Sequence, residues 1–109
     1  MKLLIAGSRT IKDFDLSPYI TENVDTIISG GAKGIDTIAE EYADKRKLSK
    51  LIIRPQYEKY GRAAPIKRNE EMVLMADKVL VIWDGKSKGT KHTIDFAEKH
   101  SKEIEVIII

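Results

Sequence analysis

The chain has 109 residues, 42% of them hydrophobic and 33% charged, with a formal net charge of +2. That supports one globular core and is too little positive charge to point by itself to nucleic acid. With no cysteine, disulfides and thiolate metal sites are excluded, and His92 and His100 stand in no metal-ligand spacing, so neither a metal nor a cofactor is expected.

Met1–Ala6 is too short for a signal peptide or a membrane span, so a cytoplasmic protein with no membrane partner is the expectation. Leu3–Ala6 is a continuous apolar run, as in a strand covered on both faces, and Gly7-Ser8-Arg9-Thr10 ends it. Asp13 to about Asn23 reads as a weak helix burying Phe14, Leu16, Tyr19 and Ile20, with Pro18 limiting its start. Thr26–Ser29 is the second strand. The next helix, to about Arg46, is the clearest element, because Ile35, Ile38, Ala39, Tyr42 and Ala43 repeat at helical spacing. Leu51–Arg54 is a third strand stopped by Pro55, and Gln56–Pro65 a loop holding Tyr57, Tyr60, Gly61 and Arg62. A third helix spans about Ile66 to Met75, and Lys78–Trp83 is the fourth strand. A polar turn, Asp84–Thr90, leads to a fourth helix ending near His100, and Glu105–Ile109 closes the chain as a fifth strand.

Strands alternating with helices imply an α/β domain over residues 1–109, a three-layer sandwich around a five-stranded parallel sheet. Right-handed crossovers then suit the strand order 3-2-1-4-5, with the first two helices on one face and the last two on the other. Chain direction across the sheet reverses between strands 1 and 4. Ligands bind at the carboxyl ends of strands beside such a reversal, and Gly7–Thr10, Ser29–Asp36 and Asp84–Thr90 all emerge at that edge.

Ser29-Gly30-Gly31-Ala32-Lys33-Gly34-Ile35-Asp36 joins a strand to a helix through glycines. Helix N-termini carry unpaired N–H groups and partial positive charge, so Ser29, Gly30, Gly31, Lys33 and Gly34 are candidates for holding phosphate. The run is neither GxGxxG nor a Walker loop, and Arg54 stands where a dinucleotide site wants an acid, so ordinary NAD binding is disfavoured. Asp36 is either a helix-dipole carboxylate or a ligand hydroxyl acceptor. In the first loop, Gly7 N–H and the Ser8 and Thr10 hydroxyls are further candidates, and Arg9 can pair with a phosphate. Arg68 and Asn69 fall at the start of the third helix, where a cation opposes the helix dipole unless an anion partners it. Gly85, Ser87, Lys88, Gly89 and Thr90 resemble a second anion loop, and Asp84 is placed to reach a ribose hydroxyl. Tyr57 and Tyr60 are candidates to cover a base, or plain surface residues; Trp83 is better read as packing.

Together these residues resemble the SLOG superfamily of Rossmann-like nucleotide-binding domains, which includes the core of the DNA-processing protein DprA and the LONELY GUY-type phosphoribohydrolases. The resemblance covers nearly the whole chain. Gly7-Ser8-Arg9, Ser29–Asp36, Arg68-Asn69 with Ala76–Ile82, and Ser87-Lys88-Gly89-Thr90 carry it, and small stand-alone YspA- and YpsA-related members are most similar. It implies a Rossmann-like fold, a nucleotide-like small-molecule partner and a homodimer. The apolar Val106–Ile109 run is consistent with an edge strand open to pairing. The hydrolases place a catalytic glutamate after their Pro-Gly-Gly-x-Gly-Thr loop, and His92 stands about there in this chain. Asp36 and Asp84 are left as substitutes.

Three functions follow. The leading one is a protein that senses or sequesters a phosphorylated nucleoside or an ADP-ribose-like ligand. The second is an N-glycosidic or phosphoribosyl hydrolase. The third, a single-stranded DNA or protein-interaction module, is not favoured, because no basic run with interleaved aromatics is present.

Overall fold

The computed structural model describes residues 1–109. Its centre is a five-stranded parallel sheet of β1 (Lys2–Gly7), β2 (Thr26–Ser29), β3 (Ser49–Ile52), β4 (Lys78–Trp83) and β5 (Glu103–Ile108), in the order β3-β2-β1-β4-β5. This is the expected Rossmann-like α/β arrangement. Helices α1 (Ile35–Arg46), α2 (Tyr57–Tyr60), α3 (Ala64–Met75) and α4 (Lys88–Lys99) connect the strands. No helix is long and apolar enough to cross a membrane.

Side chains alternate across a strand, so each apolar strand feeds both faces. Leu3, Ile5, Ile27, Leu80 and Ile82 pack with Leu16, Ile35, Ala39 and Ala43 on the α1 face. Leu4, Ala6, Ile28, Val79 and Val81 pack with Met72, Val73, Ile94 and Ala97 beneath α3 and α4. Each fully buried Leu, Ile or Val contributes about 1.5–3 kcal/mol, so the central strands β1 and β4 anchor the fold.

Helix α4 starts at Lys88, inside the expected Asp84–Thr90 turn, and four other boundaries depart from the expected ones, each for a local reason. The helix expected over Asp13–Asn23 is only a single 3-10 turn, Ser17–Tyr19. Asp15 accepts hydrogen bonds from both the Ser17 amide, at 3.0 Å, and its hydroxyl, at 2.6 Å, a local alternative to helix that Pro18 reinforces. Leu16 is nevertheless buried and Phe14 stacks on Tyr19, so the expected apolar contacts survive without the helix. Strand β3 lies two residues earlier than expected because β2 ends at Ser29, whose partner is Ile52. The expected loop Gln56–Pro65 contains α2 and a 3-10 turn, Gly61–Ala63, and α3 starts at Ala64 because Pro65 suits the first helical turn. Finally, β5 begins at Glu103, opposite Lys78, whose ammonium lies 3.4 Å from Glu103 and 3.8 Å from Glu105.

Candidate functional site

The three loops at the carboxyl edge are fastened to one another. Ser8 is the joint. Its amide donates to Ile82 O at 3.1 Å, its carbonyl accepts from Ile35 N–H at 3.4 Å, and its hydroxyl accepts from Asp84 N–H at 2.9 Å and meets Ser87 Oγ at 3.2 Å. One small buried residue therefore ties the end of β1 to the starts of both α1 and the β4–α4 loop.

The glycine turn before α1 is packed rather than open. Gly34 has φ 77°, and a Cβ there would lie 2.7 Å from Arg9 Cα and closer still to Ser8 O. At Gly30 an added Cβ would meet Arg68 Nη1 at 2.6 Å, and at Gly31, with φ 72°, Arg54 Nη1 at 2.7 Å. Gly7 is excluded from carrying a side chain by Ile35 Cγ1, 2.7 Å from where its Cβ would stand. Ser29 is buried and donates to Glu40 Oε2 at 2.8 Å, while the Ala32 amide is taken by Asp36 Oδ2 at 3.1 Å. Of the α1 amides, Ile35 N–H is taken by Ser8 O, and the helical ladder begins with Ile38 N–H on Gly34 O at 3.2 Å. Gly30, Gly31, Gly34 and Ser29 each have a packing role, and Lys33 is exposed.

Beside this joint lies a cavity of about 260 Å³ on the α3–α4 side of the sheet. Its walls come from all three loops and from α3: Gly7, Arg9 and Thr10 after β1; Ala32 and Asp36 before and within α1; Arg68 and Asn69 on α3; Ser87, Gly89 and Thr90 at the start of α4. Ser8, Ser29, Gly30, Gly31, Lys33, Gly34, Asp84, Gly85 and Lys88 do not line it. Ala6, Ala32, Pro65, Met72 and Thr93 line it without having been candidates. Helical spacing contained part of that signal, since Met72 is four residues from Arg68 and Thr93 three from Thr90.

Arg68 is the dominant group. It is only 7% exposed. Because α3 begins at Ala64, Arg68 lies a full turn inside the helix rather than at its start, so it is held by geometry and not by opposition to the dipole. Its Nη1 donates to Gly30 O at 2.6 Å and Ile53 O at 3.3 Å, and its Nε to Asn69 Oδ1 at 2.9 Å, which leaves Nη2 without a protein acceptor. Burial pulls its pKa below the ordinary arginine value, and nearby Asp36 opposes that shift. Asp36 is 8% exposed and its pKa is raised, chiefly by burial, although the Ala32 N–H and Arg68 favour its ionised form. It is the only carboxyl group lining the cavity.

The start of α4 is an open helix end on the cavity. Ser87 precedes it and makes no side-chain cap, because its hydroxyl is turned toward Ser8 and Asp84. Lys91 N–H donates to Ser87 O at 3.1 Å, so the amides of Lys88, Gly89 and Thr90 precede the helical ladder and carry its partial positive charge.

Asp84 works inside its own loop. Its carboxylate accepts from the amides of Ser87 at 2.9 Å and Lys86 at 2.8 Å and from Thr10 Oγ1 at 3.3 Å. The Ser87 amide first, then the Lys86 amide, hold its pKa down to about 2. A folded-state value below the unfolded 3.8 means that the clamp's stabilisation is complete at neutral pH. It is lost as pH falls from about 3.8 toward 2. Asp84→Ala is expected to lower Tm at pH 7 and to converge on the wild type near pH 2, as thermal melts across that range would reveal. A constant difference at every pH would contradict the clamp.

His92 bonds Glu70 Oε2 through Nε2 at 3.0 Å, joining α4 to α3, and does not line the cavity. Trp83 donates from Nε1 to Ser87 O at 3.1 Å and packs against the α3–α4 core.

Comparison with known proteins agrees with this architecture. The model of the YspA, cpYpsA-related SLOG family matches residues 1–60, which contain β1, the Ser8 joint, the glycine turn and α1. The chain belongs to the YspA, cpYpsA-related SLOG family. This SLOG protein is also 32% identical over 115 residues to the Gene 61 protein of Mycobacterium phage D29, an alignment covering 90% of this chain and 89% of that one. No solved structure gives a significant match. Family membership is consistent with nucleotide-related binding or processing, and the match covers the packed joint while α3 and α4, which supply Arg68 and the open helix end, lie beyond it.

Proposed function

We propose that this SLOG protein binds a nucleotide or nucleotide derivative, a phosphorylated nucleoside or an ADP-ribose-like molecule, and senses or sequesters it. The observation that carries the reading is the convergence of Arg9, Arg68 and the uncapped start of α4 on one cavity at the strand-order reversal. Buried guanidinium and helix amides are the groups that bind phosphate oxygens most strongly, and both are preorganised here. Asn69, Thr10 and Thr90 add neutral hydrogen-bonding groups, and Asp36 is the acceptor for a sugar hydroxyl. Gly30, Gly31 and Gly34 support the site from behind by letting the loops approach. A second reading, hydrolysis of an N-glycosidic bond, rests on Asp36, whose raised pKa suits a proton donor in a cleft.

Calorimetric titration with AMP and ADP-ribose tests the first reading, and chromatography of the same mixtures for released base tests the second. Saturable binding is expected, weakened about tenfold by Arg9→Ala, a change at an exposed residue that removes one charge-assisted contact. Binding of neither compound would overturn the nucleotide reading. Free base that disappears with Asp36→Asn would replace sequestration by hydrolysis.

A further inference from the structure

The segment between β3 and α3 carries a second concavity that the anion site leaves unused. Pro55, Gln56, Tyr57, Glu58 and Lys59 wall a cavity of about 490 Å³. Tyr57 is 59% exposed and is the one aromatic among the large exposed apolar side chains. A tyrosine ring held out in water on a four-residue helix contributes little to the core, so packing does not account for it.

Its position relates it to the anion site. The chain entering this segment is fastened to the rim. Ile53 O accepts from Arg68 Nη1 at 3.3 Å, and Arg54 Nη1 reaches Gly31 O at 3.5 Å. Helix α2 then packs against α3, the helix that carries Arg68. Tyr57 opens α2, four residues after Ile53, whose carbonyl Arg68 holds. The Tyr57 concavity and the Arg68 cavity share no wall, but the segment carrying Tyr57 is tied to Arg68 at Ile53 and packs on α3.

We propose that Tyr57 is a base platform: a nucleotide whose phosphate is held at Arg68 lays its base on the Tyr57 ring and meets the Gln56 amide at the base edge. This rests on the nucleotide reading above and deepens it, making the ligand class a phosphorylated nucleoside with an intact base rather than a bare sugar phosphate. Every base has a π-face, so stacking on one ring gives affinity with little choice among bases.

The test is calorimetric titration of the wild type, Tyr57→Ala and Tyr57→Phe with AMP, UMP and ribose 5-phosphate. The wild type is expected to bind both nucleotides about tenfold or more tighter than ribose 5-phosphate, the contribution of one stacked base. Tyr57→Ala is expected to bring the nucleotides down to the ribose 5-phosphate level while leaving ribose 5-phosphate unchanged, and Tyr57→Phe to keep wild-type affinity. Nucleotides that bind the wild type and Tyr57→Ala equally would overturn the platform and leave the nucleotide reading standing. Failure of all three compounds to bind the wild type would overturn the platform, and failure of ADP-ribose as well would overturn the nucleotide reading with it.

Discussion

Gly34→Ala is expected to cost about 3–5 kcal/mol of folding stability and to lower Tm by more than about 10 °C. Two independent penalties combine. The backbone at Gly34 has φ 77° and ψ −128°, a conformation essentially reserved for glycine. The new methyl would also point into the main chain of the first loop, 2.7 Å from Arg9 Cα, and main chain cannot step aside as a flexible side chain can. Because that loop is the one Ser8 ties to β4 and α4, the strain reaches the whole carboxyl edge. Gly89→Ala is the matched control. Nothing lies within 4 Å of a Cβ there and the residue is helical, so Tm should be unchanged or slightly higher while binding of AMP falls, because Gly89 lines the cavity. Thermal melts of the two variants distinguish a glycine needed for folding from one facing a ligand. A wild-type melt for Gly34→Ala would show that the turn is not the packed joint described above.

Arg68→Met is expected to produce the second large loss, about 3–4 kcal/mol, together with loss of AMP binding. The methionine fills similar space but leaves Gly30 O and Ile53 O without their donor and removes the positive charge nearest the buried Asp36 carboxyl. Arg68→Lys should recover only part of the stability, since one ammonium cannot reproduce the planar fork that reaches Gly30, Ile53 and Asn69 together. In urea denaturation, Asp36→Asn combined with Arg68→Met should be less damaging than the sum of the single changes, because the two groups share one environment. Strict additivity, or a fully stable Arg68→Met, would mean that Arg68 is not the organising group of the site.

These two expectations separate roles that the amino-acid pattern presents as one. Gly30, Gly34 and Arg68 all read as ligand candidates, because glycines before a helix and a cation near a helix start both suit an anion. In the folded chain, Gly34 is filled from outside by the first loop and Gly30 by Arg68 itself. The start of α4 places Gly89 and Thr90 on the cavity, where Ser87 spends its hydroxyl on Ser8 and Asp84 instead of capping. Spacing cannot reveal this, since both helices follow a strand and a glycine-containing turn.

What the linear order determined was the sheet. Apolar runs of strand length, alternating with helical repeats, specify parallel strands covered on both faces, and the reversal beside β1 brings three loops to one edge. The bounds of β4 were legible to the residue because both its faces are buried, and α1 was legible in its buried repeat and approximate end. The segment around Pro18 was not, because a carboxylate at Asp15 competes locally with the helical ladder. Only the tertiary structure decided which anion-friendly groups remain available: residues distant in sequence, Ser8, Gly30, Ile53 and Asp84, consume one another's donors and acceptors. The residues left lining the cavity include Arg9, Asp36, Arg68, whose Nη2 has no protein acceptor, and Gly89 and Thr90 at the start of α4.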